Sequence, residues 1–552
     1  MSQDPAPRPA EPSPPSDEGP SPRGLRELWA PRISVAVALL LALAYAFLGA
    51  PVGEFCLDDA WIHLAYAKSL RLGDGLSYNP GDWETGFSSP LWVALLAAWP
   101  SAESPEISVK LLGALLHAAT AGLASSIALD LGRARASIER PLPLMSIALL
   151  AGCLCATSPV LVQGASSGME VPLTTCLVLG CLWAALREQW LVAGVLGFAA
   201  ELARPEALAA LLGFCVVALV ARLRAGPRPR RARDWRELVA TLSPVAGAGL
   251  GLGAWMIYCQ LVSGWPWPNT AYVKSSIGAG ASLAGGLAYV WEEVLPWEPY
   301  YAGVGGLALI LAALWTDLSG KGVLERGPSS ELPPAAPRWE LLALLLAYLA
   351  GMLATAQSRP LEVGILFFQA RYFAIFAPLP PILVALGVAR THRWLALILV
   401  LPVAVLTGLQ LEPTHGRQRA QERGVALLHG DPAAYVSREL PADAVIAVEG
   451  AGAMRAKTPR TMEIVDVIGL NDAAIAHAED DAAKACVLVA HAPDYMVLPV
   501  QIAAALERVF ELRPIETFVD PAWAQVEEPY EVRVVLVEVV ALRSRWRERC
   551  GG

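Results

Sequence analysis

The chain is poor in charge. Asp, Glu, Lys and Arg make up 17% of its 552 residues, where a soluble domain carries about a quarter. With 55% of the residues hydrophobic, the shortfall excludes an ordinary water-soluble globule. A basic surplus is also absent: 42 Lys and Arg stand against 51 Asp and Glu, a formal net charge of −9. Nucleic acid is therefore not an expected partner. Cysteine is sparse, nine in all, and shows no CxxC spacing; there is no HExxH either, so nothing predicts a metal centre or other cofactor. Six cysteines (Cys153, Cys155, Cys176, Cys181, Cys215 and Cys259) lie in apolar runs and act as small hydrophobes. Cys56, Cys486 and Cys550 lie outside those runs, and two of them can pair on an oxidising side, though spacing does not say which. A full dinucleotide fingerprint is missing: Gly450-Ala-Gly452 follows a strand-like run, but Arg455 stands where the third glycine belongs. No internal repeat of the kind that builds transporters is visible.

What the chain does have is long apolar runs. A hydrocarbon core of about 30 Å needs about 20 helical residues. Such runs begin at 33–52 and recur at about 106–132, 143–163, 171–187, 190–201, 206–221, 238–262, 300–316, 339–357, 373–389 and 394–411, about eleven spans in total. The pair around 190–221 is short, and 88–100 is a juxtamembrane or re-entrant helix. Residues 1–32, rich in Pro, Ser and charge, are expected to be disordered. The first run is expected to be an anchor rather than a cleaved signal peptide, because it has full spanning length. Arg133, Arg135 and Arg140 share one loop, Arg222 to Arg236 a second, and Arg390 and Arg393 a third. The positive-inside rule makes their side cytoplasmic. The loop 53–105 and the tail 412–552 then face outward. In that tail the runs 445–448, 464–468, 495–500 and 532–539 read as strands of a small α/β domain. The expected fold class is an α-helical polytopic membrane protein with a C-terminal extracytoplasmic α/β domain.

The first outer loop concentrates the chemistry. It reads Asp58-Asp59-Ala60-Trp61-Ile62-His63, then Gly73-Asp74-Gly75, Tyr78-Asn79-Pro80-Gly81 and Glu84-Thr85-Gly86-Phe87-Ser88-Ser89-Pro90-Leu91-Trp92. Adjacent carboxylates repel, so the pair either serves a base, a cation or an incoming hydroxyl, or caps a helix N-terminus. Further along stand Ser167-Gly168-Met169-Glu170, Ala203-Arg204-Pro205-Glu206, Pro268-Asn269-Thr270-Ala271-Tyr272-Val273-Lys274, Gln369-Ala370-Arg371-Tyr372 and Asp466-Val467-Ile468-Gly469-Leu470-Asn471-Asp472.

In this order the motifs resemble those of the polytopic GT-C glycosyltransferases. Among these they are most similar to the polyprenyl-phosphate-arabinose-dependent terminal arabinofuranosyltransferases. The resemblance implies transfer of a sugar from a polyprenyl phosphate to an envelope glycan or glycolipid at the outer face of the inner membrane, with the bilayer as the third partner and no cofactor; neither sugar nor metal requirement is legible.

Under that resemblance Asp59 or Asp58 takes the acceptor's proton, with Asp59 favoured because His63 shares its helical face. Arg204, Arg371 and Lys274 bind the leaving phosphate. His63, Asn79, Glu84, Glu170, Glu206, Asn269, Tyr372, Asn471 and Asp472 are the expected substrate-binding residues. Simpler roles stand beside these. Arg204 can pair with Glu206 or Glu170, Lys274 can snorkel, and Asn471 or Asp472 can cap a helix near Ala473. Trp61, Trp83, Trp92, Trp265 and Trp267 are expected as interface anchors. A flippase for a polyprenyl-linked substrate and a catalytically inactive scaffold are the rival readings.

Overall fold

A computed structural model describes residues 29–48, 54–100, 104–135, 144–225, 232–277, 284, 288, 304–318, 338–358, 371–521 and 533–550. Disorder is expected over residues 1–32, but 29–32 open the helix Trp29–Phe47; residues 1–28, and 226–231 of the second Arg-rich loop, lie outside the described residues.

Each of the eleven apolar runs overlaps helix, but 143–163 and 373–389 are each split in two, into Leu144–Ala156 with Pro159–Ser166 and Arg371–Ala374 with Leu379–Arg390. Among the described residues six helices are long and apolar enough to cross a bilayer, and the pair Leu144–Ala156 and Pro159–Ser166, bent by 55° at its break, makes up to seven. Val171–Leu186, Trp190–Ala203, Gly306–Leu318 and Leu379–Arg390 are shorter, rising about 18–24 Å at 1.5 Å per residue. They fall short of a full hydrocarbon core by themselves. The outward faces of the bundle carry Leu191, Leu250, Leu261, Ile398 and Leu409, all exposed, as a lipid-facing surface requires.

Within the bundle the helices meet through small residues. Trp190–Ala203 and Ser243–Ser263 pack along their length, and a methyl on Gly247 would collide with the Gly194 carbonyl. This is the close backbone approach that drives helix association in lipid, where apolar burial brings no gain. The Arg-rich segments gather at one end. Arg135 bonds Asp317 at 2.5 Å and Glu340 at 3.1 Å, Arg390 bonds Asp317 at 3.4 Å, and Arg222 bonds Glu188 at 2.5 Å.

At the opposite end the helix Arg393–Val425 runs on past the expected boundary at 411. At 33 residues it rises about 50 Å; its second half still packs on the bundle, through Glu422 with Lys110 and Gln418 with Ser166, and leads into the C-terminal domain. That domain holds a five-stranded sheet in the order β2-β1-β3-β5-β4. Its strands are β1 (Val445–Val448), β2 (Glu463–Asp466), β3 (Tyr495–Pro499), β4 (Phe510–Val519) and β5 (Arg533–Leu542). β1 is parallel to β2 and β3, with helices on the crossovers, while β5 runs antiparallel to β3 and β4. Four of these match the expected strands. β4 does not, because it is an exposed edge strand with Pro514 at a register shift. An edge tolerates proline and needs no apolar alternation. Of the three cysteines left open, Cys486 and Cys550 form the disulfide, joining the helices Asp481–His491 and Ser544–Cys550.

Candidate active site

The first outer loop enters the helix Asp58–Leu72 with Leu57, in extended conformation, as its N-cap. Both aspartates therefore lie in the first turn, where the helix dipole favours them. One step along a helix turns about 100°, so the two side chains diverge, and their surroundings differ.

Asp58 turns to the C-terminal domain. Its Oδ2 accepts the Gly452 N–H at 2.6 Å and its Oδ1 the Ala453 N–H at 2.8 Å. It caps a helix, but a different one from its own: Ala451–Lys457, after β1. Gly450-Ala-Gly452 serves this contact, since a side chain on Gly452 would strike the Asp58 carbonyl.

Asp59 opens into a narrow cleft. Its Oδ2 lies 3.2 Å from an Arg371 nitrogen and 3.4 Å from Lys274 Nζ. Burial alone would raise its pKa, but Lys274 and Arg371 together hold the carboxyl well below the usual carboxylate range. Lys274 comes from the helix Asn269–Ile277, and Arg371 opens the short helix Arg371–Ala374. Three segments distant in sequence thus supply one acid and two cations.

Behind this group Arg204 is buried between two acids, 2.5 Å from Glu170 Oε1 and 3.2 Å from Glu206 Oε2. Both pairings suggested for it are present, and the guanidinium still lines the cleft. The Tyr372 ring lies between Arg204 and Arg371, 4.8 Å and 4.7 Å from their guanidinium carbons. His63 lines the cleft beside Glu170.

Of the expected site residues, Asp59, His63, Glu170, Arg204, Lys274, Arg371 and Tyr372 line the cleft together. The others build its frame. Asn79 exchanges two 3.0 Å hydrogen bonds with Ile464, the amide side chain standing in for a strand partner of β2. Glu84 accepts from Asn269 Nδ2 at 2.8 Å and from the Ala473 N–H at 3.1 Å. Burial pushes its carboxyl up to about 7. Asn471 accepts from Tyr66 and donates to Asp466. Asp472 caps Ala473–Ala476 through the Ile475 N–H and binds His491 at 2.8 Å. Asp58 and Glu206 likewise lie off the cleft. Sequence reading did not single out Thr270, Ser88 and Leu470 as site residues, although all three line the cleft; each lay inside a quoted motif without a charge to mark it. Among the tryptophans, Trp92 is fully buried, donating to the Gly168 carbonyl at 3.2 Å, and Trp265 stacks on His477 at 4.1 Å. Trp83 and Trp267 remain exposed.

No curated protein matches the chain. A family model described as a domain of unknown function, DUF8728, matches residues 416–541. Among solved structures, the chain is similar to ArnT from Cupriavidus metallidurans bound to undecaprenyl phosphate. The TM-score is 0.59 at 14% identity, covering 92% of this chain and 98% of that one. ArnT from the same organism in the apo state matches with TM-score 0.53 at 13% identity, over 92% and 97% of the two chains. An oligosaccharyltransferase from Archaeoglobus fulgidus, tethered to an acceptor peptide, gives TM-score 0.50 at 12% identity over 95% and 77%. At such identities the likeness is one of fold: the chain shares the polytopic helical architecture of these structures over most of its length.

Proposed function

We propose that this chain is a membrane glycosyltransferase. It moves one sugar, with arabinofuranose as the leading candidate, from a polyprenyl phosphate to an envelope glycan or glycolipid at the outer face of the inner membrane. The observation that carries the reading is the Asp59–Lys274–Arg371 group, open to a cleft at the bundle end away from the Arg-rich loops. A leaving phosphate needs cations, and Lys274 and Arg371 supply a point charge and a planar fork. A phosphate bound there competes with Asp59 for the same two partners. Asp59, released beside the anomeric carbon, is then free to accept a hydrogen bond from the acceptor hydroxyl. The ArnT structure bound to undecaprenyl phosphate supports a lipid phosphate as the ligand of this fold.

A transfer assay with synthetic polyprenyl-phosphate sugars and mass spectrometry of the products tests the reading. Formation of a glycosylated acceptor is expected; a purified, folded chain inert toward every such donor refutes it. Orientation follows the same reading. A cysteine placed at the exposed Thr517 of the tail should react with an impermeant reagent from outside, and one at Arg228–Arg233 should not; the reverse pattern would invert the topology.

A further inference from the structure

The cleft contains one pair of groups with no task so far. His63 and Glu170 are 4% and 1% exposed. His63 Nδ1 lies 3.0 Å from the backbone oxygen of Asp59. A carbonyl only accepts, so Nδ1 carries a hydrogen and donates it. In the neutral ring that leaves Nε2 a bare lone pair. Nε2 stands 4.0 Å from Glu170 Oε2, and among the described residues neither atom has a hydrogen-bond partner. Oε1 of the same carboxylate is already occupied by Arg204. Two buried acceptors facing each other lack one thing, a hydrogen between them.

The charges around His63 say when that hydrogen arrives. Asp59 lies on its own helix, Glu170 opposite, Lys274 and Arg371 across the cleft, and Arg204 behind with Glu206. Three acids and three cations balance, so the empty cleft calls for no further charge. Burial lowers the imidazole's affinity for a proton, more than Glu170 and Asp59 restore it. The resting His63 is neutral.

We propose that His63 Nε2 is where the proton released by sugar transfer comes to rest. The proposal depends on the transfer reading above. In that reaction the bond from the anomeric carbon to the phosphate oxygen breaks, and its electron pair leaves with the phosphate. The acceptor oxygen bonds to the same carbon and gives up its proton. A phosphodiester with one negative charge becomes a phosphate monoester with two. With the proton lost to bulk, the cleft would have to carry the second charge. With the proton on Nε2, the charge of the cleft is unchanged, and the new N–H points at Glu170 Oε2. Asp59 is the poorer resting place, because Lys274 and Arg371 favour its ionised form. It orients the acceptor hydroxyl and passes the proton to His63, one turn along the same helix face.

The test compares wild type with His63→Asn across pH, using a synthetic polyprenyl-phosphate arabinofuranose. In the wild type, kcat should fall at acid pH as His63 becomes charged before the reaction. His63→Asn should lose about 10²-fold in kcat, the lower end of the range of proton-transfer effects. It should lose the acid limb too, with donor KM unchanged. Added imidazole should restore part of the turnover of His63→Gly. As a readout on the unmutated chain, the His63 imidazole nitrogen resonances at pH 7 should move from neutral to protonated as undecaprenyl phosphate is added. An active wild type whose His63 stays neutral through that titration overturns the assignment alone. So does an active His63→Asn with wild-type kcat, or one that loses only KM. A wild type inert toward every donor overturns the transfer reading and this assignment together.

Discussion

Two acids in this molecule each sit between two cations, at opposite ends of the helix bundle, and they do different things. At the Arg-rich end Asp317 lies between Arg135 and Arg390, its side chain 3% exposed, with Arg135 buried as well. At the cleft end Asp59 lies between Arg371 and Lys274, its side chain 28% exposed. Asp317 is joined to Arg135 by a fork of hydrogen bonds to both carboxylate oxygens. Asp59 offers one oxygen to both cations at 3.2–3.4 Å. Similar charges give a closed lock in one place and an exchangeable partner in the other. Access to solvent and the spare oxygen make the difference, because only an open pair can trade its carboxylate for a phosphate.

The widest separation comes from neutralising each acid. Asp59→Asn keeps shape and dipole but removes the proton acceptor, so turnover should fall by about 10²–10⁴ with the melting temperature unchanged. Asp317→Asn takes the shared carboxylate charge from Arg135 and Arg390, though Arg135 keeps Glu340, and breaking a buried pair costs about 3–5 kcal/mol. Its melting temperature should therefore drop sharply while each folded molecule keeps its turnover. Asp58→Asn serves as control, because an amide oxygen can still accept one of the two N–H groups it caps; it should retain turnover within about tenfold. If Asp59→Asn keeps wild-type turnover, the two ends are both structural and the contrast is lost.

The contrast was only half legible in the sequence. Charges beside apolar runs marked both ends, and the motif order marked the cleft, so seven of the expected site residues meet there. Which acid pairs with which cation was not legible, since the partners of Asp59 lie 215 and 312 positions away. The role of Asp58 was hidden for the same reason: its partners are backbone N–H groups at 452 and 453, and a backbone donor leaves no side-chain signature. Strand β4 stayed invisible because edge position, and not composition, makes it a strand.

A smaller effect is expected from the cations. Arg371→Ala removes a charge-assisted contact worth about 1.5–3 kcal/mol, so the Kd for polyprenyl phosphate should rise roughly 10–150-fold by calorimetry. Arg371→Lys should recover only part, since the planar fork is lost. Arg204→Ala should weaken the phosphate as well, but it also takes a cation from between two buried acids, Glu170 and Glu206, so it should lower the melting temperature more than Arg371→Ala does. Equal thermal stability in the two variants would show that these two buried pairs add nothing to the fold beyond what Arg371 does.

The smallest expected effect is the pH dependence of the frame around the open end. Glu84 joins the first outer loop to Asn269 and to the C-terminal domain through Ala473. Burial raises its carboxyl to about 7, against the hydrogen bonds from Ala473 and Asn269 that pull the other way. A carboxyl with a raised pKa binds its proton more tightly folded than unfolded. Its contribution is therefore fully present below about 4.5, the ordinary glutamate value, and is lost as pH rises through about 7. Asp466, beneath Asn471, is raised by burial to about 7 in the same sense. The melting temperature should thus decline between about pH 5 and 7.5, and Glu84→Gln should flatten part of that decline, leaving the share due to Asp466. A pH slope unchanged in Glu84→Gln would mean that Glu84 is ionised in the folded chain, and that Asn269 and Ala473 bind it strongly enough to overcome its burial.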